Sequence, residues 1–269
     1  MDDKGLESGG RESGHLMLIT PERVFYAGLV GRPRERCQGA FNVYVALKGG
    51  LWVTTSDGGE HYGELLVVPP NCRHTIASDH RSAIAVLIEP ESLRPGALEE
   101  LTRRLTGPER DAFISKIRST YDMLRNRQNG EDITSARLDA MCFGEALPRR
   151  QLDPRVSRAI AQIGRFSGEP VTAASCATEA GLSSSRFLHL FKEETGIAFR
   201  SFRAWKRARH LLHFANQDIN LAHLAQDIGY PDSTHFSHSI RRFYGLKPRA
   251  IFSGSRDLAI YRCGDAALS

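Results

Sequence analysis

Ile228-Gly-Tyr-Pro-Asp-Ser-Thr-His-Phe-Ser-His-Ser-Ile-Arg-Arg-Phe-Tyr-Gly-Leu-Lys-Pro248 completes a pattern that occurs twice in the last hundred residues. The second copy starts with Ala225-Gln-Asp-Ile-Gly229, turns at Tyr230-Pro231-Asp232, and runs through Phe236 and Ile240 to Gly245. The first starts with Ala177-Thr-Glu-Ala-Gly181, turns at Leu182-Ser183, and runs through Phe187 and Phe191 to Gly196. In each copy an Ala four residues before a Gly lets two helices cross closely. The Gly lets the chain turn with φ > 0, which a side chain would penalise. The pattern predicts two helix-turn-helix units. Two such units can place two helices in successive major-groove segments, roughly 34 Å apart, on one face of DNA.

Charge points the same way. Between Asp153 and Ser253 there are 14 Lys and Arg against 8 Asp and Glu, while the remainder holds 22 against 23. The excess positive charge therefore coincides with the repeat, the electrostatic footprint of a phosphate-binding module. Residues from about Asp153 to Phe252 resemble the DNA-binding domain of the AraC/XylS family of bacterial transcription regulators. Arg186-Phe-Leu-His-Leu-Phe-Lys-Glu-Glu-Thr-Gly196 is similar to the end of that family's first unit, and the 228–248 stretch to its second. Ser239-Ile240 departs from a commoner Ala-Phe pair, but Ile240 still supplies an apolar contact. The resemblance implies a transcription regulator, usually an activator, with double-stranded DNA, RNA polymerase and a second copy of the chain as partners.

The expected fold is α+β and multidomain. A tail over 1–14 precedes a β domain over 15–92, a helical dimerisation and linker region over 93–150, and an all-helical DNA-binding domain over 151–269. Phe41-Asn-Val-Tyr-Val-Ala-Leu, Leu51-Trp-Val-Thr-Thr, Gly63-Glu-Leu-Leu-Val-Val-Pro-Pro70 and Ala83-Ile-Ala-Val-Leu-Ile88 read as short strands separated by turn residues, which favours a barrel or sandwich. Gly63 to His74 resembles the second motif of cupin barrels, which commonly form the sensor of AraC-type regulators. Leu98, Leu101 and Leu105 share one helical face; Phe113, Ile117, Tyr121 and Leu124 share another. The family resemblance implies that these faces meet a second subunit; covering the barrel is the alternative. Gly130 and the 148–154 stretch read as breaks.

No run of eighteen apolar residues is present, and the first residues lack the apolar core of a signal peptide. Five scattered cysteines suit free thiols in a reducing compartment. A cytoplasmic protein without membrane contact is therefore expected.

Helical spacing assigns the reading faces. With Phe187, Leu190 and Phe191 inward, Ser184, Ser185, Leu188, His189 and Lys192 face outward. With Phe236, Ile240 and Phe243 inward, Thr234, His235, Ser237, His238, Arg241 and Arg242 face outward. Ser, Thr and His can bond base edges or phosphates, and Leu188 suits a thymine methyl. Lys192, Arg241 and Arg242 suit phosphate. Pro154 is placed to start a helix through about Phe166, Thr172 to cap the next, and Phe202 to Asn216 to form a long connecting helix, on which Lys206, Arg207 and Arg209 are expected to be partly free for phosphate.

Catalytic chemistry finds no support. No His-x-His pair occurs before residue 90, His61 and His74 stand alone, and no nucleophile triad is ordered. The expectation is no enzyme, no metal and no cofactor; a stand-alone cupin enzyme or ligand-binding protein is the alternative class. For the effector, Arg32-Pro-Arg-Glu-Arg36 and Thr54-Thr-Ser-Asp-Gly-Gly59 resemble in degenerate form the Arg-x3-Arg and Asp/Asn-x-Ser-x-x-Gly pair of PilZ domains, which bind cyclic di-GMP. Thr54 departs from the acidic or amide residue of that pattern, and Arg203-x3-Arg207 also fits the shorter motif. The expected effector is cyclic di-GMP held by Arg32, Arg36, Ser56 and Gly59, the hydroxyl and backbone N–H groups of the 56–59 turn meeting phosphate or guanine. A sugar or small aromatic acid inside the barrel is the alternative.

Overall fold

The computed structural model describes residues 14–126, 133–165, 171–252 and 258–263. The expected tail (Gly14 apart), the break at Gly130 and the helix end at Phe166 lie outside the described residues.

The first strands are β1 (Leu16–Ile19), β2 (Arg23–Leu29), β3 (Phe41–Ala46), β4 (Leu51–Thr55) and β5 (Glu60–Gly63). They are followed by β6 (Leu65–Val68), β7 (His74–Ser78) and β8 (Ser82–Ile88). One sheet is ordered β6-β3-β8-β2-β1-β9 and the other β5-β4-β7, where β9 (Ala259–Arg262) comes from the far end of the chain. The strands thus form two sheets and do not close into one hydrogen-bonded barrel. Glu64 separates β5 from β6, where the chain passes between sheets. Pro69 and Pro70 then end β6 without an N–H for a ladder.

Side-chain alternation explains why the larger sheet is buried on both faces. Ala83, Ala85 and Leu87 of β8 join Leu51, Val53 and Ile76 of the smaller sheet in one core. Ile84, Val86 and Ile88 point the other way, onto three helices. These are α1 (Ala97–Thr106), α2 (Arg110–Arg125) and α3 (Ser135–Phe143). Leu101, Leu105, Phe113, Ile117, Tyr121 and Leu124 are all buried there against the chain's own sheet. The two apolar faces expected to meet a second subunit are therefore spent inside this chain. Arg23 and Asp139, both buried, pin α3 to β2 through a bidentate pair at 2.7 and 2.9 Å.

The helical half runs through α4 (Pro154–Arg165), α5 (Ala173–Glu179), α6 (Ser184–Thr195) and α7 (Phe199–His210). A 3₁₀ turn at Leu211–Phe214 follows, then α8 (Leu221–Asp227), α9 (Ser233–Tyr244) and α10 (Pro248–Phe252). The connecting helix expected over 202–216 thus starts earlier and tightens at its end. Thr172 caps α5 as expected, within a reciprocal capping box with Ser175. The last segment corrects the all-helical expectation. Ala259–Arg262 pairs in parallel with β1, Leu16 opposite Ala259 and Ile19 opposite Arg262. A free strand edge leaves backbone groups unpaired, and this segment satisfies them.

The two units sit in different cores. Phe187, Phe191, Phe199 and Phe202 build a separate core with Val156, Ala159 and Ile163. Trp205, Phe236, Ile240, Phe243 and Tyr244 instead join the core between the two β sheets. Each such large side chain removed from water contributes about 1.5–3 kcal/mol. At the junction lies Glu89, with 2% of its side chain exposed. It accepts from Trp205 Nε1 at 3.1 Å and from Lys206 Nζ at 2.5 Å, and Arg209 Nε stands 2.9 Å away. Lys206 also reaches Glu91 at 2.6 Å. Arg209 donates to the Thr20 and Arg23 carbonyls at 2.5 and 3.0 Å. The expectation that Lys206 and Arg209 are free for phosphate is therefore wrong, because the β domain docks on that face of α7. Arg207 is engaged too: it donates to the Gly229 carbonyl at 2.8 Å and stacks 5.5 Å from the Tyr230 ring centre.

Two tests follow from this junction. Glu89→Gln is expected to cost about 3–5 kcal/mol, because it strands buried cations against a neutral partner. Urea denaturation measures this, and a loss under about 1 kcal/mol would contradict it. Gly196 and Gly245 end α6 and α9 with φ of 75° and 68°. A Cβ on Gly196 meets nothing within 4 Å, whereas one on Gly245 lies 2.9 Å from the Arg34 carbonyl and 3.0 Å from the Glu35 carbonyl. Gly196→Ala should therefore cost only the left-handed penalty of about 1–2 kcal/mol. Gly245→Ala should cost clearly more, and equal costs would mean that the 34–35 loop moves aside freely.

Candidate nucleic-acid interface

Each unit presents one helix outward, and local chemistry fixes where that helix starts and stops. Ser183 caps α6, its side chain accepting from the Arg186 N–H. Asp232 caps α9, accepting from the Thr234 and His235 N–H groups at 2.8 Å each. The His235 backbone N–H, then its ring, hold the Asp232 carboxyl below the usual carboxylate range. Asp232 Oδ2 also lies 2.8 Å from His235 Nδ1, which orients that ring. Gly181 and Gly229 make the turns before these helices with φ of 64° and 80°, as the paired motif requires.

The outward residues are where the spacing put them. Ser184, Ser185, Leu188, His189 and Lys192 are exposed on α6, and Leu188, at 40%, is one of the few large apolar side chains that remain so. Thr234, His235, His238, Arg241 and Arg242 are exposed on α9, with Ser237 half-buried. Phe187, Phe191, Phe236, Ile240 and Phe243 are buried beneath them, while Leu190 is half-buried. His189 and His238 occupy equivalent positions, two residues after Phe187 and Phe236. Lys192 and Arg241 are likewise equivalent.

Lys247 and Arg249 were missed by the helical spacing because they lie past the closing Gly245. They line, with Arg241, Ser237, Phe236 and Leu221, a groove of about 340 Å³ between α8, α9 and α10. The Leu-Lys-Pro-Arg run carried the signal.

The effector residues fare differently. Arg32 is exposed after β2. Arg36 exchanges backbone hydrogen bonds with His74 at 2.9 and 3.0 Å. Its guanidinium faces Tyr26, Tyr44 and His74 inside the β domain. The two arginines therefore do not form one anion-gripping pair. Nor does the Ser56–Gly59 turn offer its amides. The Ser56 N–H goes to the Arg73 carbonyl at 3.0 Å, that of Gly58 to the Thr55 carbonyl at 2.9 Å, and that of Gly59 to Asp57 Oδ1 at 3.3 Å. The Asp57 carboxylate occupies the turn where a phosphate was expected.

Arg36 itself remains informative. Burial pushes the neighbouring His74 down to about 4 and Tyr44 up to about 12, so both are uncharged at neutral pH. The Arg36 Nε and Nη2 atoms are shielded from solvent and have no hydrogen-bond partner. Among the described residues, no group of three or more His, Cys, Asp or Glu could hold a metal ion. No described helix is long and apolar enough to cross a membrane.

The chain is similar to several known proteins. A helix-turn-helix domain family matches residues 176–253. The transcriptional activator RhaS of Escherichia fergusonii is 28% identical over 160 residues, covering 55% of this chain and 56% of that protein. The transcriptional regulator AlkR of Acinetobacter baylyi is 29% identical over 101 residues, covering 36% and 32%. The chain thus spans about half, or less, of the length of these curated relatives. The unsaturated-fatty-acid-bound structure of ToxT from Vibrio cholerae covers 86% of this chain and 95% of its own, with a TM-score of 0.50 at 12% identity. That likeness speaks for the fold alone. With its duplicated units and these matches, residues 176–253 form a helix-turn-helix domain of the matched family, and the chain is similar to AraC-type transcription regulators.

Proposed function

We propose that the chain is a sequence-specific DNA-binding regulator of transcription. The observation that carries this is the pair of capped helices, α6 and α9, each with a polar, exposed stripe and equivalent His and cationic positions. One chain would then cover two adjacent major-groove segments. No second subunit is needed for that. Regulation as an activator, contact with RNA polymerase and a homodimer remain proposals drawn from the family. His189 and His238 are the base-reading candidates, and Lys192 and Arg241 the phosphate contacts.

For the effector, the uncompensated edge of Arg36 favours an anionic small molecule entering the β domain. Guanidinium suits phosphate and carboxylate alike. Cyclic di-GMP and small aromatic acids are the anions to test, with Arg36 as the anchor.

Fluorescence anisotropy against operator and random duplexes tests the DNA reading. Affinity should fall steeply with salt as phosphate counterions are displaced. His189→Ala and His238→Ala should each weaken operator binding more than random binding, by roughly 5–100-fold for a lost base contact. Arg241→Ala should weaken both alike and lower the salt slope by about 1. No binding of any duplex at low salt would sink the regulator reading. Calorimetry with cyclic di-GMP, sugars and aromatic acids tests the effector. Binding of an anion that Arg36→Ala abolishes is expected; binding of a neutral sugar, unaffected by that change, would contradict it.

A further inference from the structure

We propose that Arg32 and Arg34 of the β domain extend the DNA-contacting surface of the second unit, binding backbone phosphates past the C-terminal end of α9. The inference rests on the regulator reading and adds to it a contribution from outside the helix-turn-helix units.

The loop carrying these arginines is docked on the last turn of α9. The Cys37 N–H donates to the Arg242 carbonyl at 2.8 Å. A Cβ placed on Gly245 would stand 3.2 Å from Arg34 Cβ, and one placed on Gly31 would stand 3.7 Å from Leu246 Cδ2. His238 and Arg242, four residues apart, share one exposed side of the helix, and Gly245 closes it one residue past Tyr244. The loop therefore sits at the C-terminal end of α9, against the cap residue Gly245 and beside the exposed Arg241 and Arg242.

Length makes this position meaningful. α9 has 12 residues, which at 1.5 Å per residue is about 18 Å. The major groove is about 12 Å wide. A helix lying across it reaches the phosphate ridge at its end. Charge there is right: Arg32, Arg34, Arg241, Arg242 and Lys247 are all exposed. The acidic residue of the loop, Glu35, is paired with Arg73 at 2.9 Å, which offsets its repulsion of phosphate.

The test is a salt titration of the full chain on a random duplex. Each phosphate contact contributes about 0.9 to the slope of log affinity against log salt, so Arg32→Ala/Arg34→Ala should lower it by about 2. Arg32→Lys/Arg34→Lys should keep the slope near wild type, because ammonium also displaces a counterion. Arg103→Ala/Arg125→Ala, which removes two exposed charges from α1 and α2, should leave it unchanged. An unchanged slope in the Arg32/Arg34 alanine variant would overturn the proposal. Tighter binding by that variant would also overturn it, since the loop would then shield α9. A wild-type chain that fails to bind duplex would overturn the regulator reading itself, so the two failures are distinguishable.

Discussion

Glu89 holds the molecule together across its two halves. A carboxylate moved out of water costs several kcal/mol unless opposite charge and hydrogen bonds offset it. Burial alone would raise the Glu89 carboxyl, yet Lys206 and then Arg209 outweigh that and bring it below the usual range. Glu91 goes the other way: burial raises it, Lys206 opposes, and the charge of Glu89 adds to the rise. The cluster needs its indole N–H, ammonium and guanidinium together, and all three come from α7. α7 therefore cannot slide or rotate on the β domain without stranding a buried ion. Because α7 links the two helix-turn-helix units, this contact sets where the second one points.

The rest of the junction depends on that placement. Trp205 packs so closely over Gly39 that a Cβ there would lie 2.6 Å from the indole. The Tyr244 hydroxyl donates to the Ala208 carbonyl at 2.9 Å, tying α9 back to α7. The strand at Ala259–Arg262 completes the enclosure by adding to the edge at β1. Arg262 also donates to the His213 carbonyl, so the last strand grips both halves. The first unit meets the β half only lightly, through α6, whose Glu194 lies 3.9 Å from Arg150. Its aromatic core closes on α4, α5, α6 and the start of α7, so its packing is separate from that of the junction.

What was legible in the sequence is what local chemistry dictates. Gly181, Gly196, Gly229 and Gly245 had to adopt φ > 0, and all four do. The faces of α6 and α9 followed from the spacing of Phe187, Phe191, Phe236 and Ile240. The alternation in β3 and β8 gave strands, though not the division into two sheets. Long-range pairing was not legible. Lys206 and Arg209 look like a basic, DNA-facing helix until Glu89, over a hundred residues away, is placed against them. Ala259-Ile-Tyr-Arg262 is too short to announce a strand. The Arg-x3-Arg reading failed because Arg36, bridged to His74, turns inward while Arg32 stays in solvent. The Asp57 side chain, invisible to the motif, fills the turn that was meant to receive a phosphate.

A shared core makes a statement about cooperativity. Contiguous packed regions open as units, and separate cores open separately. α8 and α9 therefore belong to the unit that contains β3 and β8, and α5 and α6 to another. Native-state hydrogen exchange of the full chain tests this directly. Amides of α9 should share the opening free energy and denaturant dependence of those in β8, with α6 exchanging through a smaller, independent opening. If α9 instead opens together with α6 while β8 stays protected, the two units form one domain and the junction at Glu89 does not govern the fold.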